Sequence, residues 1–164
     1  MIRPATPADV ADILAMVVEL ATYERAPELA VMTGDQLHEA LFGPDPKLFG
    51  HIALDDGQPV GFALWFLNFS TWTGSHGIYL EDLFVRPAAR GTGLGKALLQ
   101  TLAAICIERG YPRLEWWVLD WNTPAIDFYH AAGARAMDEW TVYRLTGDAL
   151  TTFNGLGTQA APPG

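Results

Sequence analysis

The stretch Tyr79-Leu80-Glu81-Asp82-Leu83-Phe84-Val85-Arg86-Pro87-Ala88-Ala89-Arg90-Gly91-Thr92-Gly93-Leu94-Gly95-Lys96 decides how this 164-residue chain folds. Its first half reads as a strand over Ile78 to Val85, stopped by Pro87. Its second half is a glycine-rich turn that opens a helix reaching Arg109. Leu94, Leu98, Thr101, Leu102 and Ile105 share one face of that helix, and Gly110 closes it. Glycines let successive N–H groups turn inward, and the helix start adds its positive dipole end. Together they make an anion cradle, most naturally for a pyrophosphate. A plain glycine turn is the alternative on this motif alone. The dinucleotide fingerprint fails, because the spacing is G-x-G-x-G. The nucleotide-hydrolysing loop fails too: Arg90 stands five residues before Gly95, and Ala97 follows Lys96 where a hydroxyl is needed.

Outward from this centre, the pattern predicts alternating strands and helices. A short strand at Ile2-Arg3 precedes the capping box Thr6-Pro7-Ala8-Asp9, and apolar residues from Val10 to Ala21 predict an amphipathic helix over 7–23. Thr33-Gly34-Asp35-Gln36 starts a second helix to about Phe42, ended by Gly43-Pro44. Residues 48–55 read as a strand and Asp55-Asp56-Gly57-Gln58 as a hairpin turn. Val60 to Leu67 is apolar on both faces, which suits a covered central strand. A polar loop runs from Ser70 to His76. Beyond the long helix, Leu114 to Leu119 reads as a buried strand, and Asn122-Thr123-Pro124 caps a helix over 123–132 that ends at Gly133. Ala136–Met137 and Thr141–Leu145 can supply a final strand or hairpin. From Thr151 the chain is rich in Gly, Pro, Ala and Thr and reads as a flexible tail. The expectation is one α/β domain over residues 1–150, a mixed sheet with helices on both faces, followed by a tail over 151–164.

Composition limits the function. Nineteen acids against ten Lys and Arg leave a net charge of −9, which argues against a nucleic-acid surface. The same charge suits a cationic small substrate, though a solvated acidic surface needs no ligand at all. Cys106 is the only cysteine, so an internal disulfide and a multi-cysteine zinc site are excluded. His38, His51, His76 and His130 are scattered, and no metal is expected. The start of the chain has no signal-peptide pattern and no apolar run is long enough to span a membrane, so the cytoplasm is the expected compartment.

Three features in order carry a resemblance. The strand Tyr79 to Val85 is followed by Arg90-x-x-Gly93-x-Gly95, of the form Gln/Arg-x-x-Gly-x-Gly/Ala. About thirty residues on stands Asn122-Thr123-Pro124-Ala125-Ile126-Asp127-Phe128-Tyr129-x-x-x-Gly133-Ala134. The chain resembles the GNAT superfamily of acetyl-CoA-dependent N-acetyltransferases. Ile2-Arg3-Pro4-Ala5-Thr6, Glu19-Leu20-Ala21-x-Tyr23-Glu24, Tyr79-Leu80-Glu81-Asp82 and Trp121-Asn122-x-Pro124 are similar to the diamine and thialysine acetyltransferases. The likeness covers about residues 2–146. It implies a mixed, mostly antiparallel GNAT-type sheet, acetyl-CoA as cosubstrate, a small amine as acceptor and a homodimer.

The resemblance also implies roles. An amine titrating near 10 must lose a proton before it attacks a thioester. Glu81 is the candidate acceptor of that proton, directly or through water, with Asp82 behind it. Period-two alternation would place Tyr79, Glu81 and Leu83 on one face. Tyr23 and Glu24 resemble the family's substrate-binding pair, and Glu115 could face the acceptor. The backbone at Leu83, Phe84 and Val85 would run beside the cofactor and donate to the thioester carbonyl. Arg86, Arg90 and the N–H groups of Gly91, Thr92, Gly93, Leu94, Gly95 and Lys96 would hold the pyrophosphate. Asn122 and Ala125 would contact the pantetheine arm, with helix capping an equally natural role for Asn122. Tyr129 would protonate the departing thiolate. Trp72 or Trp121 could line the acceptor cleft. An acetyl-CoA-binding sensor or a partner-binding module, without turnover, is the other reading.

Overall fold

The computed structural model describes residues 1–155, which cluster into two compact units divided after Trp121. The first unit is built on a five-stranded sheet. Its strands are β1 (Ile2–Pro4), β2 (Phe49–Asp55), β3 (Gln58–Ser70), β4 (Ser75–Val85) and β5 (Leu114–Glu115). They lie in chain order, antiparallel throughout except for the parallel pair β4–β5. The helices are α1 (Val10–Tyr23), α2 (Gly34–Phe42) and α3 (Leu94–Arg109).

Local chemistry sets these bounds much as the sequence implies. A single 3-10 turn, Pro7–Asp9, leads into α1, and Asp9 there accepts from the N–H of Thr6 and pairs with Arg3 at 2.7 Å. Thr33 closes a capping box with Gln36 at the start of α2. Asp56 and Gly57 both have positive φ, as a two-residue hairpin turn demands, and join β2 to β3.

Strand register decides the layers. Ile52, Leu54, Phe62, Leu64 and Phe84 pack with Ile13, Met16 and Leu20 of α1 and Leu37 and Leu41 of α2 in one core. Ala53, Ala63 and Trp65 alternate with these and are also buried. Arg109 of α3 lies over the Trp65 ring, so α3 covers the opposite face. Both faces of β3 are covered, which is why its sequence is apolar without alternation.

Four expectations need correction. The loop between β3 and β4 shrinks to residues 71–74, because pairing continues out to Ser70 and Ser75. The buried strand over 114–119 does not form: only Leu114 and Glu115 pair, opposite Ile78 and Tyr79, and Trp117 and Leu119 are 60% and 40% exposed. Tyr79, Glu81 and Leu83 do not share a face. Leu64 pairs with Asp82 but Trp65 pairs with Leu80, so Glu81 is an extra residue in a β-bulge. The bulge reverses the alternation: Tyr79 and Asp82 face the side of α1, opposite Phe66 and Leu64, and Leu83 faces the side of α3.

The fourth correction concerns the second unit. It holds α4 (Thr123–Ala131) and α5 (Gly147–Phe153). Asn122 caps α4, its Oδ1 accepting the Ala125 N–H at 3.4 Å, and Gly133 follows with a φ of 89°. No strand forms at 136–137 or 141–145 among the described residues. A strand needs a neighbour for its N–H and C=O groups, and sequence pattern cannot supply one. Thr151, Thr152 and Phe153 are helical rather than part of a tail, and the rest of the expected tail, from residue 156, lies outside the described residues.

Candidate active site

The glycine turn is shaped by backbone sign. Gly91 and Gly93 have φ of 82° and 84°, and a Cβ on either would meet nothing within 4 Å. Glycine is therefore required for the left-handed conformation and not for packing. The surface above the turn stays open. Gly93 accepts the first helical bond of α3 from the Ala97 N–H at 2.9 Å, and no side chain caps this helix start. The N–H groups of its first turn point outward with the positive end of the helix dipole. An anionic phosphate group fits such a cradle.

The two arginines beside it differ. Arg86 is committed to the fold: its guanidinium meets the Glu19 carboxylate at 2.8 Å and donates to the Pro59 carbonyl at 2.9 Å. That corrects the expectation that Arg86 holds phosphate. Arg90 spends only its Nε–H, on the Val85 carbonyl at 2.9 Å, and remains exposed beside the turn.

The bulge in β4 also turns its backbone. Ile78 donates its N–H to Arg113 O, toward β5, whereas Arg86, eight residues on, donates to Val60 O, toward β3. Alternation alone would send both to the same edge. Past the bulge, the N–H groups of Leu83 and Val85 therefore face away from β3. On that edge β5 pairs only with Ile78 and Tyr79, so β4 and the chain after Glu115 part. The splayed edge leads to the glycine turn and presents the two donors expected to reach a thioester carbonyl.

The acids gather on the α1 side. Glu24 and Asp82 line a cleft of about 220 Å³ with Val17, Leu20, Ala21 and Ala26. Burial against these apolar walls, with Glu81 and Glu24 nearby, raises the Asp82 carboxyl to about 7. Burial raises the Glu24 carboxyl as well. Glu81 itself is exposed, at the bulge. Tyr79, beneath Phe66 at 5.0 Å and edge-on to Trp117, is pushed up to about 12 by burial and by Glu81, Glu115 and Asp82. Glu115 is paired with Arg113 at 2.6 Å, so much of its charge is already answered.

Rings and cations border the cleft. Trp121 packs against Tyr23 with centroids 6.0 Å apart. The Arg25 guanidinium lies 4.1 Å from the Trp121 ring, and that of Arg90 lies 5.1 Å from Tyr23. Trp72, by contrast, stands on the turn between β3 and β4. In the second unit, Asn122 is buried, Ala125 is held by its cap, and Tyr129 lies on α4 with its ring 5.4 Å from Phe128.

The structure thus brings Glu24, Glu81 and Asp82 together, and Arg90, beside the glycine turn, reaches over the Tyr23 ring next to Glu24. Sequence reasoning ranked Asp82 below Glu81 and missed Arg25. The bulge that turns Asp82 into the cleft has no sequence signature. Arg25 did leave a faint signal, standing two residues before Pro27 where α1 must end. Among the described residues no group of side chains could hold a metal ion, and no helix is long and apolar enough to cross a membrane.

The strand, the uncapped glycine turn and the splayed parallel pair form an anion cradle beside an open strand edge, and comparison with known proteins gives the class. The model of the acetyltransferase (GNAT) family matches residues 14–134. The chain belongs to this family, whose members use acetyl-CoA as cosubstrate, and it is an acetyl-transferring enzyme. It is 35% identical to thialysine N-epsilon-acetyltransferase of Sus scrofa, over 94% of this chain and 97% of that one. It is 32% identical to L-ornithine N5-acetyltransferase of Arabidopsis thaliana, over 94% and 88%. Among solved structures, an integron cassette protein from the mobile metagenome of V. cholerae superposes with a TM-score of 0.78 at 28% identity, covering 94% of this chain and 96% of that one.

Proposed function

We propose that the protein moves the acetyl group of acetyl-CoA to the primary amine of a small cationic acceptor, a diamine or a lysine-like amino acid. The observation that carries this reading is a set of neighbouring carboxylates: Glu24 and Asp82 line the apolar cleft, and Glu81 stands on the bulge next to Asp82. Such a set concentrates ammonium groups. The names of the relatives, which act on thialysine and ornithine, support the same acceptor class.

Acetyl-CoA supplies an activated acyl carbon when bound. The glycine turn and Arg90 hold its pyrophosphate, and Asn122 and Ala125 its pantetheine arm. The N–H groups of Leu83 and Val85 face the charge that develops on the thioester oxygen. The acceptor ammonium gives a proton to the Glu81–Asp82 pair, Glu81 on the open side and Asp82 within the cleft. The C–N bond then forms as the C–S bond breaks, the thiolate takes its proton from Tyr129, and the second proton shed by the acylated nitrogen restores the phenol. That last role rests on the place of Tyr129 seven residues after Asn122 in the family's segment. Both compact units belong to one domain in this reading, since the family model runs across their boundary. The protein works as a homodimer.

The test is thiol release from acetyl-CoA against a panel of amines. Diamines and basic amino acids should turn over, and Tyr129→Phe should slow them about 10²-fold, as loss of a general acid does. Release with no amine in the panel would leave a binding module in place of an enzyme.

A further inference from the structure

The C-terminal end of α1 holds an arginine in a glycine position. The Arg25 N–H bonds to Thr22 O at 3.1 Å and the Ala26 N–H to Ala21 O at 2.9 Å, the paired bonds of a helix-ending Schellman turn. Its central residue must be left-handed, and Arg25 has a φ of 65°. Glycine adopts that conformation without penalty, whereas any side chain is strained there. The side chain found here is a cation laid 4.1 Å over the Trp121 ring. Its neighbours Glu24 and Ala26 both line the acidic cleft. Even so, among the described residues no carboxylate pairs with it. The turn thus sets a guanidinium with no carboxylate on it between two chain neighbours that line a cleft otherwise suited to ammonium groups.

We infer that Arg25 binds the α-carboxylate of the acceptor, so that the site selects α-amino acids with a distal amine over diamines of the same length. This rests on the function proposed above. A diamine presents only ammonium groups and leaves Arg25 without a partner, whereas ornithine or lysine adds the carboxylate that Arg25 lacks. Trp121 fixes the guanidinium plane, and planar two-point contact with a carboxylate is what arginine offers over lysine.

The experiment compares kcat/KM for ornithine with that for 1,4-diaminobutane, and for lysine with 1,5-diaminopentane, each pair differing only by the carboxylate. The parent should favour the amino acids. Arg25→Gly should reduce that preference at least ~10-fold, as expected for a lost charged hydrogen bond. Because glycine relieves the strained turn, the Tm of this variant should stay level or rise. Arg25→Lys should restore part of the preference. Ornithine methyl ester, which keeps the shape and loses the charge, should behave in the parent like the diamine. An unchanged preference in Arg25→Gly, or a fall in Tm with equal losses for both acceptors, overturns the inference and makes Arg25 a clasp on Trp121. Turnover of diamines in preference to amino acids overturns it while leaving the acetyltransferase reading intact. No turnover of any amine overturns both.

Discussion

At the residue scale, Asp82 is the carboxyl whose proton the cleft holds most firmly. Its carboxyl is raised to about 7 against about 3.9 for an exposed aspartate. Below pH ~4 the folded and unfolded chains both hold the proton. Between ~4 and ~7 the unfolded chain releases it and the folded chain does not, so rising pH destabilises the fold through that window. Above ~7 the penalty levels off. Asp82→Asn removes this linkage, so its Tm should gain on the parent steadily from pH 4 to 7 and then hold a constant margin. Thermal melts across that range check it, and a margin that does not vary with pH would contradict the assignment. The same variant should lose turnover where the parent's rate rises near neutrality. Glu81, exposed on the bulge, should change the melts little. Sequence resemblance brought both acids into view, but the extra residue that half-buries Asp82 and exposes Glu81 is a matter of strand register.

At the scale of elements, α3 carries two left-handed glycines that differ in consequence. Gly93 opens the helix at a φ of 84° and Gly110 closes it at 69°, and a Cβ at either meets open space. Replacing either should cost a similar ~1–2 kcal/mol in backbone strain, which a fold of ordinary stability survives. Gly93→Val should also weaken acetyl-CoA binding at least ~10-fold by calorimetry, whereas Gly110→Ala should leave it unchanged. Equal affinities in the two variants would move the pyrophosphate elsewhere. This turn was legible in the sequence because glycine spacing writes backbone conformation directly. The strand after α3 was not: Trp116, Trp117, Val118 and Leu119 look buried, yet the partner they would need diverges at Tyr79. Arg86 was misread for a related reason. Its partner Glu19 is 67 residues away, and sequence spacing is silent on such pairs.

At the scale of the whole molecule, the surface is acidic yet carries apolar side chains beyond α4. Val142 and Tyr143 are exposed, Tyr143 by 94%, together with Leu145 and Phe153. Three of these lie within four residues of chain, and an exposed apolar run of this kind suits a contact with a second copy, the homodimer proposed above. Sedimentation equilibrium should report two copies for the parent, and Tyr143→Asp should raise the dissociation constant at least ~10-fold. A monomeric parent, or a variant as dimeric as the parent, would remove this segment from the contact.

The order of strands and helices as far as α4, the caps, the hairpin turn and the phosphate-type glycine turn were determined by the sequence alone. Each depends on residues a few positions apart, where dihedral preference and periodicity act directly. The tertiary structure alone decided which acid turns into the cleft, which arginine is tied to the fold, where β4 and β5 part, and that among the described residues no carboxylate pairs with Arg25. Those outcomes depend on groups brought together from distant parts of the chain, and on one extra residue in β4 that reverses the faces of everything after it.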